Sequence, residues 1–461
     1  TYLIKQSADT GIPILTTNYW RLRWYEEYAQ KLESTNNSQF TNNRKLNSDY
    51  SSISTDLYYM YMFNQNRNVS LNVLNTYYSS ISDNTLSSEM GGYSFENHTD
   101  NKSYSLIAEA LYSDKLWNGD FNAGIYYQYK NLDQKYNHTE KSNIRTHKEY
   151  IYVDYSNAVG KLSYNFGLGL ENNHYNTATN DSYNYLVFRP SLSLNIQYDK
   201  HSAMRLIASV NSSVPHIGDL TNSVVTIDEY FYTQGNTNLK PYYYYYTNLS
   251  YKYASENGKL YLAPSVSYSY YPNKNMPILF IEGENAIQRM TSINNVHSLQ
   301  ASMSLSYKPV SWFAIQPFYN YEYSKYQTPN QLVNHSLHNA GLSVQFLPKN
   351  WQFIYNCNLP MTMVNGDLYT KMGLNMNATA LYKFKSMSVG LEYIYNPYPS
   401  RVYANINGFS YSEETVWNNF KNLVSVKFTY YLYKGKSRGH AGKRISNSDN
   451  DSGLTNSNTA K

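Results

Sequence analysis

Two histidines, His335 and His338, have the i, i+3 spacing that on a helix would place both imidazoles on one metal ion. They lie, however, in a segment where apolar and polar residues alternate, and this alternation predicts a β-strand. Successive side chains of a strand point to opposite faces, so a separation of three residues turns the two rings away from each other. The sequence supplies no third ligand beside them, and we therefore predict no metal site and no other cofactor.

The adjacent carboxylates Asp228 and Glu229 lie in the longest polar connection of the chain, 212–240, where they could recognise a cation or a ligand hydroxyl. The alternative is a pair of solvated loop charges. The Gly167-x-Gly169 pair lies inside a strand-like segment, so it indicates space or curvature in the sheet rather than a phosphate-binding loop. No grouping of Ser, His and Asp suggests nucleophilic catalysis, and we do not expect an enzyme.

Aromatic residues are abundant in the connections between strand-like segments, and such residues suit stacking against sugars, peptides or aromatic chelates. The chain contains 54 Tyr and 16 Phe in total. Together with the carboxylate pair, six aromatic residues are our candidates for contacts with a ligand: Tyr230, Phe231, Tyr232, Tyr398, Tyr403 and Trp417.

The elements that position these residues are segments of roughly 10–14 residues in which apolar and polar side chains alternate. In the segment 161–171, one face carries Leu, Tyr and Phe, and the opposite face carries Ser, Asn and Gly. The segments 186–198, 298–308, 387–395 and 424–432 repeat this period of two. Sustained over so many segments, the period predicts an all-β protein.

The polar faces of these strands favour a membrane barrel over a soluble sandwich. They carry mostly Ser, Asn, Gln, Gly and Thr rather than the Lys and Glu of a face that meets bulk water. Tyrosines gather near strand ends, where a phenol can lie at a lipid–water interface, and tight turns alternate with long connections. We predict a transmembrane antiparallel up-and-down β-barrel of about 18 strands in a bacterial outer membrane.

Composition excludes several other classes of protein. The 461 residues contain no apolar run long enough for a membrane-spanning helix. The single cysteine, Cys357, rules out an intramolecular disulfide. The formal net charge of +5 is scattered except near the C-terminus, so we expect no nucleic-acid partner.

We divide the chain into three parts. Residues 1–18 form a lead-in segment, interpreted as the remnant of an earlier strand, and residues 19–433 form the barrel. Residues 434–461 have no apolar period and are predicted to be a disordered, polar and basic periplasmic tail. Because the chain begins with neither Met nor an apolar signal peptide, we expect a mature form or a fragment.

The polar connection ahead of the strand-like segment 248–253 ends in a motif that resembles one found in TonB-dependent outer-membrane receptors. There a Gly-Asn-Pro-x-Leu-Lys-Pro-Glu stretch leads into a barrel strand. Thr237 replaces the usual Pro, and Tyr242 replaces the usual Glu. The barrel pattern on both sides of the motif strengthens the resemblance, particularly to the outer membrane protein beta-barrel family. The matching residues are Gly235, Asn236, Leu239, Lys240 and Pro241.

This resemblance implies a barrel of about 22 strands together with an N-terminal plug domain and a TonB box. A fragment that lacks the plug and the first strands explains why neither is visible in this chain. We therefore expect an importer that takes up a solute through its external loops and a plug outside this chain. Outer-membrane lipid, the TonB complex and a surface lipoprotein are the expected partners. The alternative is a plugless, porin-like or adhesin-like barrel that binds at the cell surface.

Overall fold

The computed structural model describes residues 11–33, 39–88, 93–137, 140–179, 181–406, 408–416, 422–431 and 443–449. These residues form one 25-stranded sheet and a short 3₁₀ helix, Ile217–Leu220. Within this part of the chain, no helix has both the length and the apolar character needed to cross a membrane.

The first ten strands follow one another along the chain with only short connections. They are β1 (Gly11–Glu33), β2 (Gln39–Met62), β3 (Asn68–Ser88), β4 (Ser94–Leu116), β5 (Gly119–Tyr136), β6 (Glu140–Val159), β7 (Leu162–Asn176), β8 (Ser182–Phe188), β9 (Ser191–Gln197) and β10 (Ser202–Ser213).

The remaining strands include several short ones at the long-loop end. They are β11 (Val224–Thr226), β12 (Phe231–Gln234), β13 (Tyr242–Ala254), β14 (Leu260–Glu282), β15 (Asn285–Val310), β16 (Phe313–Gln327), β17 (Leu332–Phe346), β18 (Trp351–Asn358), β19 (Met361–Asn365), β20 (Leu368–Met372), β21 (Asn375–Phe384), β22 (Met387–Tyr395), β23 (Ser400–Ile406), β24 (Phe409–Val416) and β25 (Asn422–Tyr430).

Eighteen strand positions form the wall, and each strand before the last pairs antiparallel with the next wall strand along the chain. β8 and β9 share one position, because both pair with β7 on either side of Arg189 and Pro190. Six short strands form three hairpins outside the wall: β11–β12, β19–β20 and β23–β24. The prediction of an antiparallel all-β barrel with about 18 strands is confirmed.

The predicted lead-in segment differs from the structure at its boundary. β1 begins at Gly11 rather than after residue 18, and Gly11 to Asn18 pair continuously with β2. These residues therefore belong to the wall, because their pairing with β2 continues without a break into the rest of β1. Residues 1–10 lie outside the described part of the chain.

The two faces of the wall carry different chemistry. On β7, Leu168 and Leu170 point outward and are 52% and 47% exposed, whereas Glu171 on the inner face is fully buried. The outward face of the whole wall repeats this pattern with Leu, Val, Phe and Tyr side chains. A contiguous apolar surface of this size is unfavourable in water and favourable in lipid. The face assignments agree with the period of two in the sequence.

Glycines on the inner face make room for tyrosine rings from the neighbouring strand. Tyr152 lies over Gly124 of β5, and Tyr150 lies over Gly169 of β7, so that a Cβ at either glycine would overlap the ring. The two rings stack on each other with their centroids 5.1 Å apart. The Gly167-x-Gly169 pair thus provides space within the barrel, as its position in a strand indicated.

The sheet continues beyond the wall at the long-loop end. β24 pairs with the outer end of β1, and β23, β20 and β19 extend the sheet further in that order. The hairpin β11–β12 instead pairs in parallel with β15 through β12. We use the term cap for the three hairpins, the outer ends of β14 and β15, and the loop 214–241 that carries β11–β12.

The wall has two strand edges that the described residues do not join. β25 pairs with β22, and β1 pairs with β2 along its full length and with β24 only at its outer end. No register between β1 and β25 occurs in the described ranges.

Residues 443–449 lie against the inner face of the wall, where Ile445 is buried among side chains of the barrel. This differs from the prediction of a disordered tail, because polar and apolar groups of the wall bind this short segment. The rest of the predicted tail, apart from these seven residues, lies outside the described ranges, as does Trp417.

Candidate functional site

The cap has a hydrophobic core of its own, built from four separate segments of the chain. Ile227 and Phe231 come from the loop 214–241, and Leu279 and Ala286 come from the outer ends of β14 and β15. Because these segments share one core, packing holds them together as a unit. The two remaining hairpins supply Leu368, Ala404, Ile406, Phe409 and Tyr411.

The loop 214–241 crosses the mouth of the barrel. On one side, the Arg44 guanidinium donates to the Ile227 carbonyl (3.4 Å) and the Asn97 amide donates to the Thr226 carbonyl (2.7 Å). On the other side, β12 pairs with β15. The strands that carry Arg44 and Asn97 lie far from β15 around the wall, so the loop spans the mouth from one side to the other.

Asp228 is the polar centre of this cap. Its carboxylate is fully buried and accepts hydrogen bonds from the Tyr230 and Phe231 N–H groups (2.8 Å each) and from the Tyr411 hydroxyl (2.7 Å). The same hydroxyl lies 3.2 Å from Glu413 Oε2. Burial raises the pKa of Asp228 to about 7, although the hydrogen bond from Tyr411 opposes this shift. The residue joins two cap segments and does not present its charge to solvent.

The other predicted ligand-contact residues occupy different environments. Phe231 is buried and stacks on Tyr411 with ring centroids 4.9 Å apart. Tyr403 stacks on Tyr369 at 5.3 Å, and Tyr398 is 62% exposed. The structure therefore does not bring the predicted residues into one site. The remaining three, which are half-buried, are Glu229, Tyr230 and Tyr232.

The motif at Gly235 to Pro241 anchors the crossing loop to the wall. A Cβ at Gly235 would overlap the Thr221 backbone, and the Asn236 side chain donates to the Met290 carbonyl at 2.8 Å. Leu239 is 2% exposed and packs in a second core with the 3₁₀ helix and the outer ends of β5, β6 and β7. The Lys240 carbonyl accepts from Asn275 at 3.0 Å, and Pro241 is buried. These contacts give the motif a structural role.

A cavity of about 290 Å³ lies between the cap and the inner face of β16 and β17. Glu322 and His335 are its ionisable groups, and the Ser324 hydroxyl donates to Glu322 at 3.1 Å. His335 Nε2 donates to the Thr362 carbonyl at 2.7 Å, which fixes the ring. Apolar walls with a few fixed polar groups are typical of small-molecule sites. The apolar lining consists of Pro277, Leu337, Met363, Val364, Leu368 and Val402.

The two histidines of the i, i+3 pair lie on opposite faces of β17, as a strand requires. His335 points into the cavity, whereas His338 is exposed on the outward face and hydrogen bonds to the Tyr319 hydroxyl at 2.7 Å. Nowhere in the described residues do three or more His, Cys, Asp or Glu side chains converge on a possible metal position. His335 is thus a candidate for contact with a solute through its position in the cavity.

Asp367 is a site residue that sequence reasoning missed. It is fully buried in the turn between β19 and β20 and accepts hydrogen bonds from the Leu279 N–H (3.0 Å), Thr328 hydroxyl (2.7 Å) and Asn330 amide (2.6 Å). These donors come from two other places, the outer end of β14 and the turn between β16 and β17. The sequence signal was the Asn365-Gly366-Asp367 tripeptide, which is typical of a tight hairpin turn.

The inner wall also holds a buried charge cluster on β7. Glu171 forms ion pairs with Arg189 (2.5 Å) and Lys148 (3.1 Å) and accepts a hydrogen bond from the Asn173 amide at 2.8 Å. The Arg189 guanidinium also lies over the Tyr150 ring, 4.8 Å from its centroid. Because these partners surround its carboxylate, Glu171 holds neighbouring side chains in place and is not a candidate for solute binding.

These features define a class: a transmembrane barrel whose long-loop end carries a packed cap beside a small cavity. The family model of the outer membrane protein beta-barrel family matches residues 44–430, and the chain belongs to this family. Its location is therefore the bacterial outer membrane. A search of curated protein sequences finds no match.

Solved structures of outer-membrane receptors and transporters share the fold. The ferric-catecholate import receptor Fiu from E. coli K12 superimposes with a TM-score of 0.58 at 8% identity, covering 90% of this chain and 78% of that one. The ferric citrate transporter FecA gives 0.57 at 12% identity, with 88% and 70% covered. The copper transporter OprC gives 0.56 at 7% identity, with 87% and 80% covered. This chain therefore shares the barrel fold of these receptors and transporters.

Proposed function

We propose that this chain is the transport barrel of an outer-membrane importer that captures a scarce solute under its cap. The carrying observation is the crossing of the mouth by the loop 214–241, which joins β2 and β4 on one side to β15 on the other. An open pore serves abundant small solutes by diffusion, whereas a covered mouth suits a solute that must first be bound.

The proposed solute is a metal chelate or a similarly polar small molecule. The cavity offers a carboxylate from Glu322, an imidazole from His335 and an apolar wall, a combination that can bind a polar group beside an apolar or aromatic body. The import of ferric catecholate and ferric citrate and the transport of copper by the similar structures support this class. The exposed Tyr398 and the half-buried Tyr230 and Tyr232 are proposed first contacts at the surface.

Further strands and a plug domain are part of the proposal. The two unjoined edges, on β1 and β25, support a larger wall in the complete protein, because lipid disfavours unpaired backbone groups. A plug in that protein would contact the inner wall and couple uptake to the TonB complex. A surface lipoprotein is a further proposed partner at the cap.

The test of function is uptake by cells that carry the complete encoded protein. Labelled ferric and cupric chelates are supplied at nanomolar concentration, with and without a protonophore that removes the energy for TonB. We expect accumulation that the protonophore abolishes. Uptake that depends on the protein but not on membrane energy would instead support the plugless, porin-like alternative.

The test of the site uses the two histidines as a matched pair. His335→Ala removes a fixed polar group from the cavity, and we expect it to weaken solute binding about 3- to 10-fold. His338→Ala makes the same chemical change on the outward face and is expected to leave binding unchanged. Equal losses of affinity in the two variants, or none in either, would remove the cavity from the proposal.

A further inference from the structure

The C-terminal residues Lys443 to Asp449 form an extended segment whose side chains alternate in exposure. Ile445 is buried and Lys443, Asn447 and Asp449 are partly buried, whereas the residues between them are exposed. This period of two is the pattern of a bound strand-like peptide, in which every second side chain contacts the binding surface. We call these seven residues the C-terminal segment.

The binding surface is the inner face of β2, β3, β4 and β5. At the beginning of the segment, the Lys443 ammonium forms an ion pair with Asp56 and lies 5.8 Å from the centroid of the Tyr58 ring. The Arg444 N–H donates to the Tyr58 hydroxyl at 3.2 Å. At this end of the segment, the wall thus binds both the Lys443 charge and the Arg444 backbone.

The middle of the segment combines an apolar and a polar contact. Ile445 packs among Tyr58, Met60 and Leu111 on the inner wall. The Asn447 N–H and side-chain amide both donate to Asn72 Oδ1, at 3.2 and 3.0 Å, and the side-chain amide also lies 3.0 Å from Glu109 Oε2.

The end of the segment forms a buried ion pair. Lys130 Nζ lies 3.0 Å from Asp449 Oδ1, and the two side chains are only 5% and 2% exposed. The Tyr78 hydroxyl donates to the Asp449 carbonyl at 2.9 Å. A buried charge without an opposite charge beside it is strongly destabilising. The buried pair of Lys130 and Asp449 therefore makes the wall and the segment complementary in charge.

We propose that the inner face of β2–β5 is a binding site for an extended peptide, and that its occupant is the chain's own C-terminal segment. The bound segment occupies part of the lumen and holds residues 443–449 against the inner wall. This property is separate from solute recognition in the cavity, which lies against β16 and β17.

A disulfide test asks whether the segment is bound in the complete protein. In a Cys357→Ser background, Asn72→Cys is combined with Asn447→Cys, which joins two positions in direct contact. The matched control combines Val73→Cys, on the outward face, with Asn447→Cys. We expect the linked peptide by mass spectrometry after mild oxidation for the first pair and not for the second. Failure of the first pair to link in heat-modifiable, folded barrel would overturn the proposal.

A charge test asks whether the buried ion pair holds the segment. Asp449→Lys places two ammonium groups together, and we expect cleavage by trypsin at Arg444 in isolated outer membranes to become at least about tenfold faster. Lys130→Asp combined with Asp449→Lys restores opposite charges and should return cleavage to near the original rate. Ser448→Lys places a lysine at the neighbouring exposed position and should leave the rate of cleavage at Arg444 unchanged. Equal cleavage in the original protein and Asp449→Lys would contradict the proposal.

Discussion

The wall and the cap are stabilised in different ways. Wall strands form backbone hydrogen bonds with their neighbours along long registers. In β2 and β3, for example, the pairing is continuous from Asn42 opposite Ser88 to Met62 opposite Asn68. The three cap hairpins have short registers, and buried side chains such as Asp228 and Asp367 bind them to the rest of the cap. The wall is therefore insensitive to most single substitutions, whereas a few buried polar groups determine whether the cap is closed.

This difference fits the proposed function. A barrel that must stay in the membrane needs a wall that does not open, and a solute can enter only if the cap does. Regions with few backbone ladders and small cores open locally at lower free energy than the elements they cover. We therefore expect the cap to open while the wall remains intact.

The largest expected effect breaks the wall. Leu168→Arg places a charge on the lipid-facing side of β7 and should impair assembly by about 2–4 kcal/mol if the position lies near the bilayer midplane. Asn165→Arg places the same charge on the inner face and should be much milder. Heat-modifiable migration in detergent measures both. Equal defects would show that the two faces are wrongly assigned.

The next effect breaks the cap without touching the wall. Asp367→Ala leaves the buried Leu279 N–H without its acceptor and removes the 2.7 Å hydrogen bond of the Thr328 hydroxyl, and it should destabilise the cap by about 2–3 kcal/mol. Limited proteolysis between residues 361 and 372 measures the change, and Asp181→Ala in an exposed turn is the control. Loss of the heat-modifiable barrel in Asp367→Ala would contradict independent stability of the two regions.

The stability of the cap, unlike that of the wall, should depend on pH through Asp228. Burial raises the pKa of Asp228 to about 7, from an ordinary value of 3.8. The folded cap therefore binds a proton more tightly than the open cap, so this stabilisation is complete below about pH 4 and is lost as the pH rises through 7. We expect cap opening at pH 7.5 to be at least about tenfold more frequent than at pH 5. Asp228→Asn should remove most of this dependence, as measured by hydrogen exchange of residues 224–234.

The smallest effect concerns one hydrogen bond. Tyr411→Phe keeps the stack on Phe231 but removes the donor to Asp228, and should destabilise the cap by about 1 kcal/mol. Tyr398→Phe, at an exposed position, is the matched control. Proteolysis of the cap compares the two variants, and an equal response would show that the Tyr411 hydroxyl contributes nothing.

The wall could be predicted from the sequence because its signal is local. Leu168 and Glu171 differ in face simply by their separation along a strand, and each turn is marked by its own residues. The cap could not be predicted, because Asp228 and Tyr411 lie 183 positions apart and nothing in either neighbourhood indicates the other. The contact of Asp449 with Lys130, 319 positions apart, is hidden for the same reason. Side-chain chemistry alone suggested that Asp228 meets solvent, whereas its position in the cap core determines its role.

Hydrogen exchange on the complete protein in detergent or nanodiscs tests the central claim most directly, by comparing residues 361–372 of the cap with residues 298–308 of the wall. We expect amides in the cap to exchange at least about a hundredfold faster than those in the wall, and a bound chelate to slow exchange only in the cap. Exchange of both regions at one common rate, with or without the chelate, would contradict a stable wall beneath a cap that opens.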